Sequence, residues 1–150
     1  MADRKNIEKN FESIYCDFRL RLYKFIFGVL GEREGSLTAT EFFAVETIGL
    51  MGSPTIGEFA EALSITSSHA AYKVRQLVDK GYVTKLPTDD KRAFKLEVTQ
   101  KFKKYYHGDN AYGRYIFETL SKTLTEDELQ FCDKLFEKFV ETIEKEKKND

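Results

Sequence analysis

At 150 residues, with 41% of its side chains apolar, the chain has material for one domain or for one small core with helical extensions. Its longest apolar run, Phe25 to Leu30, is broken by Gly28 and falls far short of the roughly 20 residues that span a bilayer. Met1 to Asn10 is charged and lacks the apolar centre of a signal peptide, so a cytoplasmic protein with no membrane partner is expected. The net charge of −1 hides an asymmetry: residues 66–104 carry ten basic and four acidic side chains, a net of +6, which leaves −7 elsewhere. Such a basic module in an acidic frame can hold phosphates where it makes contact.

From Ile7 to Val29 the apolar positions 7, 11, 14, 15, 18, 22, 25, 26 and 29 form a stripe of helical period. Its aromatics, Phe11, Tyr15, Phe18 and Phe25, exceed what one small neighbour covers, which implies a second subunit or C-terminal helices as partner. Gly31 to Ser36 reads as a linker. Thr38 with Glu41 then forms a capping box, and Leu37 with Phe42 a hydrophobic staple, so a helix starts firmly here. Phe42, Val45 and Ile48 face inward, and Gly49, Gly52, Ser53 and Pro54 end it.

A second capping box, Thr55 with Glu58, opens a short helix with Ile56, Phe59, Ala60 and Leu63 as its buried stripe. Ser64 to Ser68 is a polar turn, and Thr66 or Ser67 caps a further helix to about Lys80, where Gly81 stops it. In that helix Ala70, Val74, Leu77 and Val78 form the inner stripe, while Ser68, His69, Tyr72, Lys73 and Gln76 fall on the other side. Tyr82 to Leu86 and Phe94 to Val98 read as strands, the second alternating apolar with charged residues. Between them Pro87 to Arg92, with two aspartates and a basic pair, reads as an exposed turn.

Beyond the hairpin, Phe102, Tyr105 and Tyr106 begin a helix in which Gly108, Asp109, Asn110 and Gly113 predict a kink or break. Tyr112, Tyr115, Ile116 and Leu120 resume the stripe. Thr125 with Glu128 makes a third capping box, with Leu124 and Leu129 as staple. Leu129, Cys132, Leu135, Phe136, Phe139, Val140 and Ile143 complete an amphipathic helix, and the charged tail frays.

Helix, turn, helix and hairpin in this order is a winged helix-turn-helix. The fold class expected is mostly α with a small β-hairpin wing, a winged core flanked by N- and C-terminal dimerisation helices. The stretch from Leu37 to Thr99 resembles the MarR family of bacterial transcription regulators. The resemblance rests on Leu37 to Glu41 ahead of a helix, Thr55 to Ile65, Val74 to Val83 with its Lys80-Gly81-Tyr82-Val83 ending, and Asp90-Lys91-Arg92 in the wing. His69 and Ala71 stand where the family usually has a small polar residue, so the base-reading surface differs. Gln100 to Lys104 also lacks the glycine that usually follows the wing.

The resemblance implies a single domain, with a DNA-binding core at about 37–99 and dimerisation helices at 4–31 and 100–147. It implies a homodimer that binds a pseudo-palindromic double-stranded DNA operator, a repressor released by a small ligand or signal. The DNA-contacting residues expected are Ser67, Ser68, His69, Tyr72, Lys73 and Gln76 on the recognition helix, and Lys91 and Arg92 in the wing, with Asp90 supporting Arg92. In the family, ligands act in a crevice between the dimerisation helices and the winged domain, here lined from Phe18, Leu22, Phe42, Phe43, Tyr105 or Tyr112.

An alternative is a winged-helix protein-interaction module that does not bind DNA. The local +6 charge argues against it. Catalysis needs a nucleophile, base or metal cluster, and His69 and His107 have no ligand motif around them, so neither an enzyme, a metal site nor a cofactor is expected. Cys16 and Cys132 form no Cys-x-x-Cys pair or zinc-ligand spacing. Some family members sense peroxides through a cysteine in the first helix, but Asp17 beside Cys16 disfavours a thiolate, and buried thiols are the expectation for both.

Overall fold

The computed structural model describes residues 1, 3–30, 36–90, 93–106 and 109–148, the side chains of Val29, Tyr105 and 109–111 excepted. Among these the order is α1 (Arg4–Val29), α2 (Ala39–Met51), α3 (Ile56–Ala62), α4 (Ser67–Asp79), β1 (Val83–Pro87), β2 (Phe94–Val98), α5 (Gln100–Tyr106), α6 (Asp109–Ser121) and α7 (Glu126–Glu146). This is the mostly helical winged fold expected, with an antiparallel two-stranded hairpin. The chain divides into two compact units, Met1–Asp109 and Asn110–Asp150.

The three capping boxes form as the spacing predicts. Thr38, Thr55 and Thr125 each accept from the backbone N–H three residues on, while Glu41, Glu58 and Glu128 reach back to the cap N–H at 2.8, 2.7 and 2.7 Å. Helix α2 runs through Gly49 and ends at Gly52, whose φ of 69° is the left-handed cap. Gly113 lies inside α6 and does not interrupt it. Helix α5 ends at Tyr106 and α6 begins at Asp109, and Gly108, where a kink or break is also expected, lies outside the described residues.

The first unit is built around one core: Leu37, Phe42, Val45, Ile48, Phe59, Ala60, Ala70, Val74, Leu77, Tyr82, Val83, Leu96, Phe102 and Tyr106 among its members. Ridges of α2, α3 and α4 meet there, and β2 closes it through Leu96. Phe42, Tyr82, Phe102 and Tyr106 form an aromatic cluster with centroids 5.2–6.4 Å apart, mostly in the tilted and edge-on arrangements that ring quadrupoles favour. Among the described residues α1 contributes Leu22, Phe25 and Ile26 from its last turns, followed by its C-cap Leu30. Towards its N-terminus Ile7, Phe11, Ile14, Tyr15 and Phe18 are exposed.

In the second unit α7 has no buried residue, and Leu135, Phe136, Phe139, Val140 and Ile143 leave its apolar face open. Contrary to expectation, Cys16 is exposed, because it sits on the open stretch of α1; Cys132 is partly covered. Among the described residues no helix is long and apolar enough to cross a membrane.

Candidate nucleic-acid interface

Helix α4 is positioned by its ends and by its inner stripe. The turn before it is tight: Ser64 adopts a φ of 52°, and the Ile65 N–H donates to Ala60 O at 3.0 Å. Thr66 then caps the helix by accepting from the His69 N–H at 3.2 Å. Ala70, Val74 and Leu77 are buried, with Val78 partly so. The opposite face carries Ser67, Ser68, His69 and Tyr72, all exposed, and Lys73 and Gln76, half-buried. All six recognition-helix residues expected from the sequence therefore lie outside the core. Within this face the Gln76 Nε2–H donates to Tyr72 Oη at 3.1 Å.

Arg75 shares the exposed side of the helix, three residues after Tyr72 and seven after Ser68, yet was not among the residues expected there. Its helical spacing was the available signal.

Several bonds fix the C-terminal end of α4. Lys80 Nζ donates to Glu41 Oε2 at 2.7 Å and to Ser36 O at 3.3 Å, joining the helix to the start of α2. Burial opposes ionisation of Glu41 most strongly, but the hydrogen bonds from Lys80 and from the Thr38 N–H outweigh it and hold the carboxyl below its ordinary pKa. On the other side, Thr99 Oγ1 donates to Gly81 O at 2.7 Å, and Lys101 Nζ donates to Lys80 O at 2.7 Å while lying 4.5 Å from the Tyr82 ring centroid. Gly81, at φ 76°, supplies the left-handed residue this end requires. Two of the ten basic side chains of 66–104 are thus committed to the fold.

The wing pairs Val83 with Val98 through Pro87 with Phe94, so Pro87, read as part of the turn, closes β1 instead. A proline fits there because the strand end needs no donor from it. The hairpin is tied to the segment before α3: the Leu96 N–H donates to Pro54 O at 2.8 Å, and Thr55 bridges to Lys95. Near the tip, Thr88 Oγ1 lies 2.8 Å from Asp90 O and 3.0 Å from Ala93 O, and the Ala93 N–H donates to Asp90 O at 2.9 Å. Asp90 is exposed at this turn; Lys91 and Arg92 lie outside the described residues.

Beside the winged core, a largely apolar cavity of about 450 Å³ is lined by Tyr23, Ile26, Phe27, Leu30, Phe43 and the segment 36–39. Of the residues expected in a ligand crevice whose side chains are described, Phe43 alone belongs to it. Phe42 is in the aromatic cluster, Leu22 packs on the core, and Phe18 is exposed farther along α1. The Tyr105 side chain lies outside those described, and Tyr112 belongs to the second unit. Among the described residues no group of His, Cys, Asp and Glu could hold a metal ion.

Residues 37–94 match the model of the MarR family, a stretch that covers α2, α3, α4 and β1 and reaches the first residue of β2. Over this segment the chain is similar to the MarR family. MarR proteins are DNA-binding transcription regulators, not enzymes. Similar solved structures include Streptococcus pneumoniae FabT in complex with DNA, at 18% identity over 95% of this chain and 99% of that one, with a TM-score of 0.61. A MarR family protein from Bacillus stearothermophilus gives 14% identity, 95% and 98% coverage and a TM-score of 0.61. A MarR-like transcriptional regulator from Thermotoga maritima gives 22%, 96% and 99%, and 0.56. At such identities the likeness is one of fold, and it extends over nearly the whole MarR-type chain. No curated protein matches the chain.

Proposed function

We propose that the chain is a cytoplasmic, homodimeric repressor that binds a pseudo-palindromic operator and is released by a small ligand or signal. The observation that carries this reading is α4, whose hydrogen-bonding face is free beside the hairpin while its inner face and both ends are anchored. A rigid helix presented in this way suits the major groove, whose base edges it can read. Two copies would set their recognition helices in successive major grooves, about 34 to 36 Å apart, with each wing over an adjacent minor groove.

The basic stretch 66–104 supplies counter-charge for phosphates. FabT, of like fold, is known in a complex with DNA. The open apolar faces of α1 and α7 each favour a partner subunit, since contiguous exposed apolar surface marks an interaction site. The cavity beside Phe43 gives room for a small apolar ligand.

In this reading Arg92 enters the minor groove, held by Asp90, whereas Ser68, Tyr72 and Gln76 face bases in the major groove, His69 meets base or phosphate there, Lys73 holds phosphate, and Ser67 and Lys91 also contact the DNA. The test is a paired titration of Arg92→Ala and Tyr72→Ala against selected operator and scrambled duplex across a salt series. Arg92→Ala should weaken binding to most sequences alike and flatten the salt slope by about one unit per lost contact. Tyr72→Ala should relax preference at one operator position and leave the slope nearly unchanged. Equal loss on both duplexes for both variants would refute this division. No effect from either would favour a protein-interaction module that does not bind DNA.

A further inference from the structure

We infer that Tyr72 and Gln76 act as one reading unit for the major-groove edge of an adenine, an inference that rests on the DNA-binding role proposed for α4. Residues four apart on a helix share a face. Tyr72 stands near the centre of the free face, 57% exposed, and Gln76 sits one turn beyond it with its Nε2–H on the tyrosine oxygen at 3.1 Å. That bond sets the polarity of both groups. A hydroxyl that accepts from Gln76 keeps its own proton for an outside acceptor. An amide whose nitrogen is turned to Tyr72 leaves Oε1 as an acceptor for an outside donor. The pair therefore offers a donor and an acceptor side by side.

Single bases in the major groove present different patterns. Guanine shows two acceptors, N7 and O6; cytosine shows a donor; thymine shows an acceptor and a methyl group. Adenine alone sets an acceptor, N7, next to a donor, N6–H, and so matches both outward groups at once. Because each side chain holds the other before DNA arrives, less rotamer freedom is lost on contact than for two independent contacts. Neither partner reads the base as well without the other.

The experiment starts with duplexes enriched from a random pool by the full-length protein. Wild type, Tyr72→Phe, Gln76→Leu and the double variant are then titrated against the enriched duplex, against replacements at every base pair, and against 7-deazaadenine at the preferred adenine. Tyr72→Phe removes only one exposed oxygen and keeps the fold, and thermal melts check Gln76→Leu.

Each single variant should lose roughly 5- to 100-fold at the same A·T pair, and the double variant no more than the worse single. The 7-deaza base should weaken wild type and leave Tyr72→Phe unchanged. Losses that map to different base pairs and multiply, or a preferred base other than adenine at the shared position, overturn the inference and leave the DNA-binding role intact. Single variants that bind and discriminate like wild type overturn it as well. If no duplex is enriched, the DNA-binding role falls, and the inference falls with it.

Discussion

Tyr106→Phe isolates a single hydrogen bond in the core of the winged unit. The Tyr106 ring stacks on Phe102 at 5.2 Å and meets Phe42 and Tyr82 at 5.6 and 5.7 Å, contacts that phenylalanine keeps. What it removes is the oxygen that accepts from the Leu37 N–H at 3.2 Å. Leu37 is 1% exposed and Tyr106 6%, so the amide is left as a buried donor without its partner. Such a group costs about 1–3 kcal/mol, while the ring's apolar burial is unchanged. A loss near 2 kcal/mol corresponds to roughly 4–8 °C in Tm for a chain of this size. Urea titration followed by far-UV circular dichroism, with a thermal melt alongside, measures both. A variant within about 0.5 kcal/mol of wild type would refute the reasoning, because water would then be reaching the Leu37 amide and the site would not be sealed.

Three further outcomes are expected. Glu41 has a depressed pKa in the folded chain, so its contribution to stability is present above the unfolded value of about 4.3 and is lost as pH falls towards the folded one. Glu41→Gln should therefore show a shallower loss of stability than wild type below pH 5, and parallel profiles would count against the ion pair with Lys80. Gly81→Ala forces a side chain to the φ of 76° and should cost about 1–2 kcal/mol by urea titration; an unchanged midpoint would show that this helix end relaxes. Phe139, 39% exposed on the apolar face of α7, lies on the surface proposed for dimerisation. Phe139→Asp should yield monomers by light scattering at micromolar concentration, and a monomeric wild type would sink the dimer itself.

The parts of the fold that were legible in the sequence are those set within a few residues. Thr38 with Glu41, Thr55 with Glu58 and Thr125 with Glu128 make bonds three positions apart, so the residues alone mark the helix starts. The inner stripe of α4 follows in the same way from helical period. What fixes that helix in space was not legible, because its partners are remote: Lys80 meets Glu41 39 positions away, Lys101 meets Lys80 across 21, and Tyr106 meets Leu37 across 69. Counting Lys80 and Lys101 simply as basic residues missed that both are committed to the fold. Gly113 inside α6 carries a propensity cost of about 1 kcal/mol, which a helix can absorb. The bond between Gln76 and Tyr72, by contrast, spans only four positions; the spacing was in view, and the polarity of the bond was not.

The way α4 is held separates the residues that make the protein stable from those proposed to meet DNA. Its inner stripe, the Thr66 cap, Gly81 and Lys80 support it, and none of these is on the face that carries Ser68, Tyr72 and Gln76. Substitutions on that face fall where single changes alter stability by about 0.5 kcal/mol or less. The surface can therefore drift through many side-chain combinations, one at a time, without a compensating change beneath it. A lineage carrying this helix could acquire a new target site faster than it could acquire a new core, and two descendants could come to address different sequences while remaining interchangeable as folded objects.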